Sequence, residues 1–594
     1  MEVPRGRAAP PVVATSSLDV HFDRTFFQRV QRCTRAAVAV GRYTWTWVYQ
    51  TGCPGGELLP SYRVARSFRR WRAAGLVAAL LGSGAVNAQE FQPLEATIED
   101  VHAALAARQI TCRELVQRYL ERIEAYDAAG PALNTIQYIN PGALQQADSL
   151  DTVFSASGPV GPLHCIPVLL KDQVETRDMP TTYGSALFEG FMSGRDATIV
   201  ARMREVGALV LAKTNMGEFA SRYVGSAFGI IRNAYDPTRN PSGSSGGTGA
   251  GVAANFGMVG IGEDTGGSIR GPAAVHSLVG LRPSVPLVSR HGMMPANPSS
   301  DTLGPMTRTV MDAAILLDVI AGYDPQDPVT AYAEGRMPDS YAAGLDMNGL
   351  QGARIGVIRE SMDPKTNTES DDYRQVRAVL DRAIADLRSL GAAVVDPVIV
   401  PNLDSVQRTY VENNFETERA MNAYLAQHAG APLQTVGDIL VSGVVNPWRA
   451  KGLMNVVGKS TDDSEYLSIL AARERLRQAV LTLMVDNGLN ALVYATFDHQ
   501  ATTIAPDVLT NANTEDDYAL GNNRYLSPVI GFPALTVPAG FTSDGLPVGL
   551  EFLGRAFSEA TLLTLGYAYE QGTQRREPPA TTPALSSPVD QAVR

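Results

Sequence analysis

Short apolar runs separated by helix-period segments constrain this chain more than any other feature of it. Residues 165–170 read CIPVLL, 208–212 ALVLA, 354–358 RIGVI and 392–400 AAVVDPVIV, with helical patterns at 199–206 and 373–390 between them. Strands that alternate with helices have to cross over before they pair again, which gives a sheet covered on both faces. The expected class is α/β, a large mixed, mostly parallel twisted sheet with helices on both faces. Two capping boxes, Thr97 with Asp100 and Thr111 with Glu114, precede amphipathic runs and predict two helices ahead of the first strand. Residues 405–490 are helix-rich without strand runs, and read as an insertion over the sheet.

The length of 594 residues demands several cores or one large enzyme-sized domain. Its ends divide from its body. Residues 66–88 run from a basic stretch through 14 apolar residues to Val86 and Ala88, the layout of a secretory signal with cleavage expected after Ala88. The apolar run is too short for a stable membrane span, which needs roughly 20 residues. Residues 1–65, Arg-rich and poorly periodic, read as a disordered leader outside the mature protein, and 579–594 as a flexible tail. The location that follows is secreted or periplasmic. Residues 1–88 hold 12 Lys+Arg against 4 Asp+Glu, and the remainder 38 against 57, so the body is strongly acidic and unsuited to nucleic acid. Cys33, Cys53, Cys112 and Cys165 form no CxxC pair and no zinc-type spacing, so neither a disulfide framework nor a metal is indicated, and no cofactor is expected.

Residues 240–282 hold the densest cluster of glycines and hydroxyls in the chain: NPSGSSGGTGAGVAANFGMVGIGEDTGGSIRGPAAVHSLVGLR. Glycine lets backbone N–H groups approach a ligand closely, as phosphate cradles and oxyanion holes require. The cluster contains no lysine, which excludes a P-loop, and Val252 stands where a dinucleotide fingerprint needs glycine. Gly243, Ser245 and Gly247 match GxSxG, which would make Ser245 an esterase nucleophile, yet turn formers rather than a strand precede it. None of the seven histidines sits in a diagnostic motif. A hydroxyl can be activated by lysine instead, once burial has made the amine neutral. Lys171, directly after CIPVLL, is placed for that, although a lysine closing a strand is more often a solvated edge residue.

PLHCIPVLLKD at 162–172, AKTNMGEF at 212–219 and GSSGGTGAGVAA through DTGGSIRGPA at 243–273 resemble the amidase signature family. LVSRHGMMP, DTLGPMTR, GFPALTVPAGF and GLPVGLEFLG extend the resemblance over residues 93–578, so that 89–578 reads as one amidase domain. The resemblance implies an amide hydrolase working through a serine acyl-enzyme. Ser268 would be the nucleophile, Ser244 the bridging serine after a cis peptide bond from Gly243, and Lys171 the base. The amides of Thr265, Gly266, Gly267 and Ser268 would form the oxyanion hole. Ser245 reads as a loop support, Asp264 and Arg270 as a buried structural pair, and Asp172 as a turn cap or support for the lysine. Cys165 departs from the family's usual glycine and reads as a small core filler. The substrate implied is a small-molecule or peptide amide, bound by 405–490 with the loops at 181–185 and 291–301. A glutaminase subunit of a tRNA-dependent amidotransferase shares the triad, but the signal-like segment and the acidic body oppose it. A non-catalytic scaffold is opposed by the intact triad.

Overall fold

The computed structural model describes residues 91–585, so the leader and signal-like segments at 1–88 lie outside the described residues. The strands in chain order are β1 (Ile136–Ile139), β2 (Pro167–Lys171), β3 (Leu209–Thr214), β4 (Val224–Gly225), β5 (Gly229–Ile230), β6 (Val259–Glu263), β7 (Val279–Arg282), β8 (Leu303–Thr307), β9 (Arg354–Ile358), β10 (Ala393–Val398), β11 (Ala491–Ala495), β12 (Ala534–Phe541) and β13 (Pro547–Leu553). Apart from the β4–β5 ribbon they form one mixed 11-stranded sheet, in the order β1-β3-β2-β6-β8-β7-β12-β13-β11-β9-β10. Parallel pairing falls in two blocks, β3-β2-β6 and β11-β9-β10. Antiparallel pairs join the blocks, and one of them is the β12–β13 hairpin, whose short connection leaves no room for a crossover.

Helices cover both faces. Leu535 and Thr536 are neighbours on β12 and point to opposite sides of the sheet. Gly566 of helix Glu559–Thr573 is pressed against Leu535, whereas Ala273 of helix Arg270–Ala274 lies with Thr536 around Gly280. Both capping boxes form, at the starts of helices Ile98–Ala106 and Cys112–Tyr126. Five helices, Val406–Val411, Thr417–Leu425, Val436–Val441, Pro447–Met454 and Ser464–Asp486, occupy the segment read as helix-rich. Among the described residues no helix is long and apolar enough to cross a membrane.

Two readings need correction. Cys112 and Cys165 form a disulfide, with Cα atoms 5.4 Å apart, where the sequence gives no sign of a pairing. Their separation of 53 residues carries no motif, and only the fold brings the helix start to the strand. Cys165 is therefore a bonded residue rather than a core filler. Its φ of 65° is the left-handed conformation that glycine adopts most easily. Arg122 donates to the carbonyls of Thr582 and Pro583.

Candidate active site

Lys171 ends β2 with no solvent exposure. β2 and β6 are parallel, with Leu170 opposite Ile261, so Lys171 and Glu263 emerge at the same end of neighbouring strands. The Lys171 Nζ lies 2.8 Å from Ser244 Oγ, 2.8 Å from Glu263 Oε2 and 3.3 Å from the Glu263 carbonyl oxygen. Lys171 Nζ thus has three oxygen neighbours, to which it is placed to donate; only in its neutral form could it instead accept from the Ser244 hydroxyl. Burial pushes the Lys171 amine below its usual pKa, and the Glu263 carboxylate pulls the other way.

The turn-forming run at 240–246 delivers Ser244. Its peptide bond with Gly243 is cis. A Cβ on residue 243 would lie 1.8 Å from the Arg222 carbonyl oxygen, so only glycine fits there. Ser245, which leads into helix Gly246–Ala253, spends its hydroxyl on the backbone of β6, donating to the Glu263 carbonyl at 3.2 Å and accepting from the Glu263 amide at 3.3 Å. No imidazole among the described residues bonds it, which removes the GxSxG esterase reading and leaves Ser245 as a tie between loop and sheet.

Ser268 sits in the turn between β6 and helix Arg270–Ala274, and Asp264 shapes that turn. Asp264 accepts from the Gly267 amide at 2.6 Å, the Ile269 amide at 3.2 Å, Arg270 at 3.2 Å and Arg282 at 3.1 Å. Burial alone would raise this carboxyl, but the two guanidiniums hold it well below the usual range. Arg270 also binds Glu551 and donates to the Arg524 carbonyl. The buried pair read from the sequence is thus one edge of a larger network. The Gly267 amide is committed to Asp264, whereas the amides of Thr265, Gly266 and Ser268 donate to no protein acceptor among the described residues.

Ser244, Thr265, Gly266 and Ser268 line a cavity of about 300 Å³, together with Asn297 and with Tyr410, Asn413, Trp448 and Arg449 from the helix-rich segment. The 181–185 loop does not line it. That loop instead clasps Asp172, whose Oδ2 accepts from the Thr182 amide, the Thr182 hydroxyl and the Gly184 amide. Sequence reasoning missed Glu263 and the aromatic cage of Arg222, which pairs with Asp516 and lies 4.7 Å over Trp448 and 5.0 Å over Tyr518.

The Amidase family model matches residues 114–563. The chain belongs to the Amidase family. It is 33% identical over 515 residues to a probable amidase of Arabidopsis thaliana, across 82% of this chain and 92% of the relative. The native peptide amidase of Stenotrophomonas maltophilia superposes with a TM-score of 0.73 at 36% identity, covering 82% of this chain and 99% of that enzyme. A glutamyl-tRNA(Gln) amidotransferase subunit of Geobacter sp. strain M21 is 34% identical over 498 residues, 80% of this chain and 97% of that relative. The chain is an amide hydrolase.

Proposed function

We propose that this amidase cleaves carboxamides through an acyl-enzyme on Ser268, with Ser244 and Lys171 moving the proton. The observation that carries the reading is the fully buried Lys171 amine held 2.8 Å from Ser244 Oγ, directly behind a cavity that Ser244 and Ser268 line together. Ser268 Oγ attacks the amide carbon, its proton passes to Ser244, and the Ser244 proton passes to Lys171. The oxygen of the tetrahedral intermediate is met by the free amides of Thr265, Gly266 and Ser268, and each such preorganised donor lowers the barrier by about 3 kcal/mol. Collapse returns the proton to the leaving nitrogen, and water then releases the acid. Ser268→Ala and Lys171→Ala should each lower kcat/KM by at least about 10³-fold with the melting temperature kept. Wild-type trapped on a slow ester substrate should carry its added mass on Ser268. A label on any other residue would refute the assignment.

Peptide carboxamides are the substrate class we favour, supported by the likeness to the Stenotrophomonas peptide amidase and by the polar residues Asn297, Asn413 and Arg449 that line the cavity. The identity with the Geobacter protein favours a second reading, a glutaminase partner in a tRNA-dependent amidotransferase. Rapid hydrolysis of simple amides by the purified chain alone excludes that alternative. We further propose a secreted or periplasmic location after cleavage at Ala88, supported by the signal-like segment and by the Cys112–Cys165 disulfide, which suits an oxidising compartment. Its check is the N-terminal sequence of the protein recovered outside the cytosol, which should begin at Gln89.

A further inference from the structure

The relay leaves one buried charge without a role. Glu263 has no solvent exposure, and both its carboxylate oxygens are engaged, Oε2 by Lys171 Nζ at 2.8 Å and Oε1 by the Thr265 hydroxyl at 2.6 Å. A buried carboxylate is weak support for a fold, because its desolvation offsets much of what its hydrogen-bond partners return. Stability alone therefore gives little reason for a carboxylate here. Its geometry gives a better one, since the amine that touches Ser244 is the same amine that touches Glu263.

We propose that Glu263 is a fourth member of the relay, a positioning residue that holds the Lys171 amine on Ser244 and supplies the counter-charge for the ammonium formed when the serine proton arrives. The inference rests on the reading of Lys171 as the base. As the bond from Ser268 Oγ to the carbonyl carbon forms, the Ser268 proton moves to Ser244 Oγ and the Ser244 proton to the lone pair of Lys171. The new ammonium then lies 2.8 Å from Glu263 Oε2. When the C–N bond breaks, the proton runs back through Ser244 to the leaving nitrogen, and Glu263 has neither gained nor lost one. Its part matches that of the buried aspartate behind the histidine of a Ser-His-Asp triad.

The other groups facing this pair are Asp264, Asp301, Arg282 and Tyr410. Asp264 is committed to Arg270 and Arg282. Asp301, held by the amides of Ala296 and Asn297, is pushed up to about 7, first by burial and then by the charge of Glu263. Glu263 is thus the carboxylate in direct contact with the amine. A carboxylate stabilises the ammonium and raises the pKa of Lys171, so removing it lowers that pKa. The acid limb of kcat/KM, below which the base is protonated, then moves to lower pH.

The test measures pH profiles of kcat/KM for wild-type, Glu263→Gln and Asp301→Asn, with folding checked by melting temperature. Glu263→Gln should lower kcat by about tenfold to a hundredfold and move the acid limb down by about one pH unit or more. A merely structural role would lower activity without moving the limb, and an unmoved limb overturns the proposal. A limb that moves with Asp301→Asn and not with Glu263→Gln also overturns it. Should Glu263→Gln fail to fold, Glu263→Asp decides: the charge is kept but withdrawn by one methylene, so the limb must move down and kcat fall, and a wild-type profile refutes the idea. Failure of the underlying reading looks different, because Lys171→Ala would then retain hydrolysis whatever Glu263 does.

Discussion

The glycine-rich loops at 240–282 and the helices at 405–490 line one cavity together and are built on opposite terms. In the first region every residue is buried, and groups are placed by the backbone: a cis peptide bond and a turn wrapped around one carboxylate. In the second, mostly short helices present side chains, and Val441 and Leu467 remain 89% and 66% exposed. The two sides divide the labour. Reacting groups need placement to fractions of an ångström, which close packing supplies, whereas a surface that selects an acyl group tolerates looser support.

Small substitutions on each side put that division to the test. The largest effect is expected from Gly243→Ala, because its new Cβ would sit 1.8 Å from the Arg222 carbonyl oxygen and backbone has to shift. It should lower both kcat and melting temperature, with kcat/KM down by more than about 10²-fold, and near-normal turnover would show that the loop yields more easily than its packing implies. Trp448→Ala, on the helical side, removes the ring 4.7 Å from the Arg222 guanidinium. The expected result is a KM raised about five- to tenfold with kcat within about twofold, since Trp448 also lines the cavity and an aromatic contact to a bound substrate there would be worth about 1 kcal/mol. Val441→Ser serves as its control and should leave both constants unchanged. If Trp448→Ala instead lowered kcat as strongly as Gly243→Ala, the division would be wrong.

Local chemistry made much of this legible. The capping pairs at Thr97 and Thr111 formed because their hydrogen bonds span three residues, and RIGVI became β9 over its full length. The serines and lysine of the site were readable because their motifs surround them. Glu263 was not. It reads as the polar end of MVGIGE, and its partner is 92 positions away, brought near only by the β2–β6 register. The same holds for Cys112 with Cys165, and for Arg222 with Asp516, 294 positions apart. Pairings of this kind depend on which strand lies beside which, and a single sequence does not encode strand order in any local pattern. The order of the blocks in the sheet was hidden for the same reason.

Gly266 has no side chain, and the Tyr410 phenol fills the space where one would begin, 2.0 Å from the position of a Cβ. Tyr410 in turn stacks on Tyr525 with ring centroids 4.0 Å apart. The Tyr410 ring therefore rests directly on the backbone at Gly266, one of the residues proposed to receive the negative oxygen, so a change in the size of residue 410 would be felt at that backbone as well as in the cavity.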